Sequence, residues 1–208
     1  MAVAQPSLFD LEEEIGPRQL ASSQQRIALG NGAWADVRRD WFAGSAVLLE
    51  RLLAAVPWRS ERRRMYDRTV DVPRLLAFYD EGEALPDPAL EVARDALAVR
   101  YRGERGAPLC TTGICLYRNG TDSVAWHGDT IGRNSTEGTL VAIVSLGEPR
   151  RFLLRPKAGG SALRFALGHG DLLVMGGSCQ RTWEHSVPKT VRPVGPRISV
   201  QFRSAGVR

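Results

Sequence analysis

The sequence predicts an α+β fold, mainly β: a sandwich or jelly roll with N-terminal helices packed on one sheet. Three observations carry this. Two runs with an apolar face at helical spacing lie in the first half of the chain. From about residue 112, eight short β-rich runs follow one another between Gly, Asn and Pro. The 208 residues, 43% hydrophobic and 25% charged, suffice for one well-packed domain.

In chain order, residues 1–25 are acidic, then polar, and read as a flexible tail. Residues 26–208 read as one domain, with a helical layer and short hairpin over 26–110 and the β core over 111–208. "RIALGNGAWADVRRDWF" alternates around an Asn-Gly turn signal and reads as a short hairpin. "SAVLLERLLAAV" (45–56) is a helix with a broad apolar face. "PDPALEVARDALAVRY" is a second, with Asp87 placed to cap it and Pro88 suited to its first turn. The eight strand candidates are "GICLYR", "SVAWHG", "TLVAIVSLG", "RRFLLRP", "SALRFAL", "DLLVMGG", "RTWEHSV" and "RISVQFR".

The formal net charge of +5 comes from 28 Lys+Arg against 23 Asp+Glu. Nearly all the basic residues are Arg, which favours bidentate contact with phosphates and carboxylates. On charge alone, a nucleic-acid partner and a solvated basic surface stand level. Cys110, Cys115 and Cys179 form no CxxC pair. The first residues lack a signal-peptide pattern, and no run approaches the ~18 apolar residues of a membrane span. The expectation is a soluble, reduced, cytoplasmic monomer with no membrane contact.

The tripeptide His-Gly-Asp occurs twice, at 127–129 and 169–171, in a chain with only 3 histidines. A His and an Asp two apart on a strand face the same way, a common arrangement for a divalent metal. His127 sits inside a strand pattern, whereas His169 precedes one and reads as a turn residue. Asp129 lies 56 residues before His185, room for several intervening strands, while Asp171 lies only 14 before it. The expected ligand set is therefore His127, Asp129 and His185. Two imidazoles and a carboxylate suit non-heme Fe(II), or Zn with a bound water.

In "RISVQFR" the residues Arg197, Ser199, Gln201 and Arg203 face one side, and Ile198, Val200 and Phe202 the other. The two arginines stand roughly 20 Å apart along a strand, and their long side chains can close on a short dicarboxylate between them. An exposed edge strand carrying two solvated arginines fits the pattern equally.

The ordered set His127-Gly-Asp129, His185 and Arg197-x-Ser-x-Gln-x-Arg203 resembles the AlkB family of Fe(II)/2-oxoglutarate dioxygenases. That family's signature is HxD…H followed by RxNxxxR. The resemblance extends over "PWRSERRRMYDRTVDVPRLLAFY" (57–79), "LYRNGTDSVAWHGD" (116–129), "VSLGEPRRFLLRP" (144–156) and "GDLLVMGGSCQRTWEHSVPK" (170–189). It implies a double-stranded β-helix with Fe(II), 2-oxoglutarate and O2. His127, Asp129 and His185 would bind iron; Arg203 would pair with the near carboxylate of 2-oxoglutarate and Arg197 with the far one. Tyr117 and Ser199 would complete the cosubstrate site, with Ser199 standing where the family usually has Asn, and Cys115 where it has another. The implied activity is oxidative demethylation of alkylated bases such as 1-methyladenine and 3-methylcytosine, in DNA before RNA, releasing formaldehyde, succinate and CO2. The implied substrate contacts are Trp58, Arg63, Met65, Tyr66, Arg74 and Trp126, with "RSERRRMYDR" (59–68) as a phosphate-gripping lid. No acidic residue closely follows HxD, and the family's aromatic hairpin is not recognisable. Two alternatives stay open: a 2-oxoglutarate oxygenase acting on a protein or small molecule, and a silent module that binds alkylated nucleic acid. "QPSLF" (Gln5–Phe9) resembles a sliding-clamp docking peptide.

Overall fold

The computed structural model describes residues 15–20, 25–65, 68–104, 108–129, 138–204 and 206–207, without the side chains of 62–65 and 68–71. In chain order the elements are β1 (Gly16–Pro17), β2 (Gln25–Gly30), β3 (Ala33–Arg38), β4 (Phe42–Ala43), α1 (Ser45–Ala55), β5 (Arg59–Met65) and β6 (Arg68–Tyr79). Then follow α2 (Pro88–Arg100), β7 (Leu109–Tyr117), β8 (Val124–His127), β9 (Thr139–Gly147), β10 (Arg150–Pro156), β11 (Leu163–Leu167) and β12 (Asp171–Gly177). The chain closes with α3 (Cys179–Thr182), β13 (Trp183–Val187) and β14 (Arg197–Ser204).

Two antiparallel sheets face each other as a jelly roll. The major sheet has 8 strands in the order β2-β3-β12-β9-β14-β7-β6-β5, and the minor sheet has 4, β11-β10-β13-β8. All eight expected β-rich runs form strands, β7 to β14. The β2–β3 hairpin turns at Asn31 (φ 52°) and Gly32 (φ 76°), the left-handed pair a tight hairpin requires. Both expected helices form, and the Asp87 side chain caps α2 by accepting from Ala89 N–H at 2.9 Å.

Strand alternation divides the interior into two cores. On the outer face of the major sheet, Leu48 and Leu52 of α1 and Leu90 and Leu97 of α2 pack with Ile198, Val200 and Phe202 of β14. Between the sheets, Val141, Ile143, Leu154, Leu173 and Met175 form the second core. β14 is thus a central strand between β9 and β7, and the exposed-edge alternative for its arginines is excluded: Arg197 is 1% exposed and Arg203 9%.

One expectation needs correction. Residues 15–20 do not belong to a loose tail: β1 pairs with β4, and Ile15 and Leu20 pack on the helix-side core, apolar anchors inside a polar stretch. The segment that the resemblance implies as a phosphate-gripping lid begins as a strand, β5, which pairs with β6 at the edge of the major sheet. Its run of arginines has no apolar alternation; its ladder partner supplies the order that a buried face would otherwise provide.

Candidate metal centre and its cavity

β8 and β13 are neighbours in the minor sheet, and their register sets His127 opposite His185. The ring centroids are 4.3 Å apart. Asp129 follows β8 directly. Ligand atoms of His127, Asp129 and His185 all lie within 4.8 Å of one another, a spacing one metal ion can span. Phe152 stacks on His185 at 5.2 Å between centroids, fixing the ring plane. Burial pushes the His185 imidazole down to about 3, against the pull of Asp129, so the ring is held neutral as a ligand must be. His127 Nδ1 lies 2.9 Å from Ala125 O, which fixes the proton on Nδ1 and leaves Nε2 with a free lone pair.

His169 is elsewhere. Its Nδ1 accepts from Gly147 N–H at 2.7 Å, so it pins a turn beside the β9 end. Asp171 accepts from Asp40 N–H at 3.0 Å and Gly168 N–H at 2.8 Å and pairs with Arg39, so both its oxygens are already engaged.

The two histidines open onto a cavity of about 420 Å³ between the sheets, also lined by Tyr117, Arg197, Ser199, Gln201 and Arg203. The polar row of β14 therefore faces the metal cluster. Arg197 Nε donates to Ser145 Oγ at 2.8 Å, but its Nη1 is buried without a partner. Arg203 contacts Asp129 at 3.5 Å and Gln201, while its Nε is likewise buried and unpartnered. Burial pulls the Arg197 guanidinium below its ordinary value, the cost of desolvating a cation with no anion beside it. Burial pushes the Tyr117 phenol up to about 12, so it stays a hydrogen-bond donor.

Comparison with known proteins gives this geometry a family. The 2OG-Fe(II) oxygenase superfamily model matches residues 43–203. The human alpha-ketoglutarate-dependent dioxygenase alkB homolog 3 is 30% identical over 220 residues, covering 96% of this chain and 73% of its own. The chain is an AlkB-family dioxygenase. The Arabidopsis thaliana DNA oxidative demethylase ALKBH2 is 29% identical over 225 residues, 88% of this chain and 70% of that one. The solved structure of OsALKBH1 shares the fold at a TM-score of 0.60 and 14% identity, covering 86% of this chain and all of that one.

An AlkB-family dioxygenase works with Fe(II), 2-oxoglutarate and O2. The residues present fit those groups. The donor set is two imidazoles and one carboxylate with room left at the metal, the arrangement of non-heme Fe(II) oxygenases. Two buried guanidiniums with unpartnered N–H groups on the facing row match a dicarboxylate.

The expected substrate contacts divide. Arg74 of β6 lines the cavity. Trp126 does not: strand alternation turns it to the outer face of the minor sheet, where Arg155 lies 4.0 Å over its ring. Trp58 packs on the helix-side core and donates to Leu53 O at 3.2 Å. Tyr66 and the side chains of Arg63 and Met65 lie outside the described residues, as does Gln5–Phe9. Sequence reasoning missed Phe78, which is 42% exposed and lines the cavity, and Glu61 on the adjacent strand β5. Phe78 was within reach, since Arg74, Leu76 and Phe78 alternate on one face of β6. Among the described residues, no helix is long and apolar enough to cross a membrane.

Proposed function

We propose that this enzyme oxidatively demethylates N-alkylated bases in nucleic acid, of the 1-methyladenine and 3-methylcytosine type. The carrying observation is the cavity across which the His127–Asp129–His185 cluster, carried by the minor sheet, faces the Arg197–Arg203 row of the major sheet. Relatives named as AlkB homologues and DNA oxidative demethylases support the substrate class.

In this reading His127, Asp129 and His185 hold Fe(II). Arg203, beside the metal ligand Asp129, takes the near carboxylate of 2-oxoglutarate, and Arg197 the far one. The iron, cosubstrate and dioxygen together supply the oxidation of the N-methyl group, which leaves as formaldehyde while 2-oxoglutarate becomes succinate and CO2. The protein's own residues bind, orient and exclude water. Tyr117 and Ser199 present hydroxyls to the cosubstrate, Ile143 and Phe152 wall the cavity with apolar surface, and no side chain needs to act as a general base. The exposed ring of Phe78 at the cavity offers a stacking face to an extruded base, whose positive charge when alkylated suits an aromatic surface.

The test measures formaldehyde and succinate with methylated oligonucleotides, unmodified oligonucleotides and no oligonucleotide, in DNA and RNA. The expected outcome is methyl-dependent release of both products in equal amounts. Succinate release indifferent to methylation would point to a different primary substrate, and binding without turnover to a silent reader.

A further inference from the structure

The two segments that carry the metal cluster are joined by more than the β8–β13 ladder. α3 runs directly into β13, and its Gln180 reaches back to the loop after β8. Gln180 is 2% exposed, and its Oε1 accepts from the Asp129 N–H at 3.0 Å. Its backbone carbonyl accepts from Lys157 Nζ at 2.8 Å. The intervening Gly128 is pressed against the same group. A Cβ at that position would stand 2.8 Å from Gln180 O and 2.9 Å from Lys157 Nζ, closer than a side chain tolerates.

A buried backbone N–H requires a partner, and the partner chosen fixes the peptide plane. At Asp129 that plane sets where the carboxylate points. Among the described residues, Gln180 Nε2 has only a 4.0 Å contact to Met175 Sδ, so the strong bond seen for this side chain is the one to Asp129. The partner sits in the short helix that runs into the strand carrying His185, so this bond ties the backbone of the carboxylate ligand to the segment leading to the imidazole. We infer that Gln180 is a positioning residue for the metal centre, fixing Asp129 relative to His185, with Gly128 and Lys157 closing the joint. This rests on the reading of His127, Asp129 and His185 as metal ligands.

The experiment is a titration of the metal-free full-length protein with Mn(II) and no cosubstrate, following free Mn(II) by electron paramagnetic resonance. Metal-free thermal unfolding is measured alongside. Outer contacts of this kind are worth roughly 10–100-fold in metal affinity, so Gln180→Leu should bind Mn(II) at least about tenfold more weakly, and Gln180→Glu, which keeps an acceptor oxygen, should stay within about threefold of wild type. Gly128→Ala should weaken binding too. A folded Gln180→Leu protein with wild-type affinity, or Gln180→Glu as weak as Gln180→Leu, overturns the inference. If Gln180→Leu does not fold, unchanged affinity in Gly128→Ala overturns it. His127→Ala separates the two claims: wild-type Mn(II) binding in that variant refutes the ligand reading itself.

Discussion

Asp129 and Asp171 sit in the same tripeptide, and their surroundings give them different work. Both oxygens of Asp171 are engaged, by two backbone N–H groups and Arg39, and His169 Nδ1 accepts from Gly147 N–H. Asp129 faces two imidazoles, one of them held neutral by burial. In turnover assays, His127→Ala and Asp129→Ala should each abolish 2-oxoglutarate-dependent succinate release. His169→Ala should retain most of it, losing about 1 kcal/mol of stability with its hydrogen bond. The preference for the first His-Gly-Asp was legible from strand context and from its distance to His185. Trp126, next to His127 on β8, stacks against Arg155 and does not line the cavity.

At the scale of elements, β14 shows how one strand serves two masters. Its even-numbered residues are buried under the helices, and its odd-numbered residues line the cavity. Phe202→Ala should therefore cost about 3–5 kcal/mol in urea unfolding, the usual range for deleting a buried aromatic ring. Ser199→Ala on the opposite face should change stability by about 1 kcal/mol or less and act on 2-oxoglutarate affinity instead. The β5–β6 hairpin poses the reverse case, a strand whose polar sequence gives no period to read. The phosphate-contact role that the family resemblance implies for its arginines carries a prediction of its own. Replacing Arg59, Arg62, Arg63 and Arg64 by Ala should weaken oligonucleotide binding and flatten its salt dependence, by roughly 0.7–0.9 in the log–log slope per phosphate contact removed. Oligonucleotide affinity measured across a salt series checks this; an unchanged slope would assign the arginines to solvent.

Across the whole molecule, the space between the sheets is a polar cavity inside an apolar frame, and Tyr117 lies at its inner wall among Arg74, Arg150 and Arg197. Burial raises its phenol from an ordinary 10.0 to about 12. The native state therefore keeps a proton that the unfolded chain gives up first. The associated stability is complete below pH 10 and is lost as pH rises toward 12, at about 1.4 kcal/mol per pH unit for one proton. Chemical unfolding of the metal-free protein over this range should show that loss, and Tyr117→Phe should remove this component.

The sequence by itself determined the strand runs, both long helices, the choice of His-Gly-Asp and the two-faced pattern of the last strand. Each is a local property, set by side-chain period or by turn and cap chemistry. Only the tertiary structure decided that the last strand is central, that the arginine-rich segment pairs as a hairpin, that Phe78 lines the cavity, and that Gln180 bonds the backbone of Asp129. Those depend on which strands are neighbours and on which backbone groups need partners, contacts between residues far apart in the chain that no local pattern encodes.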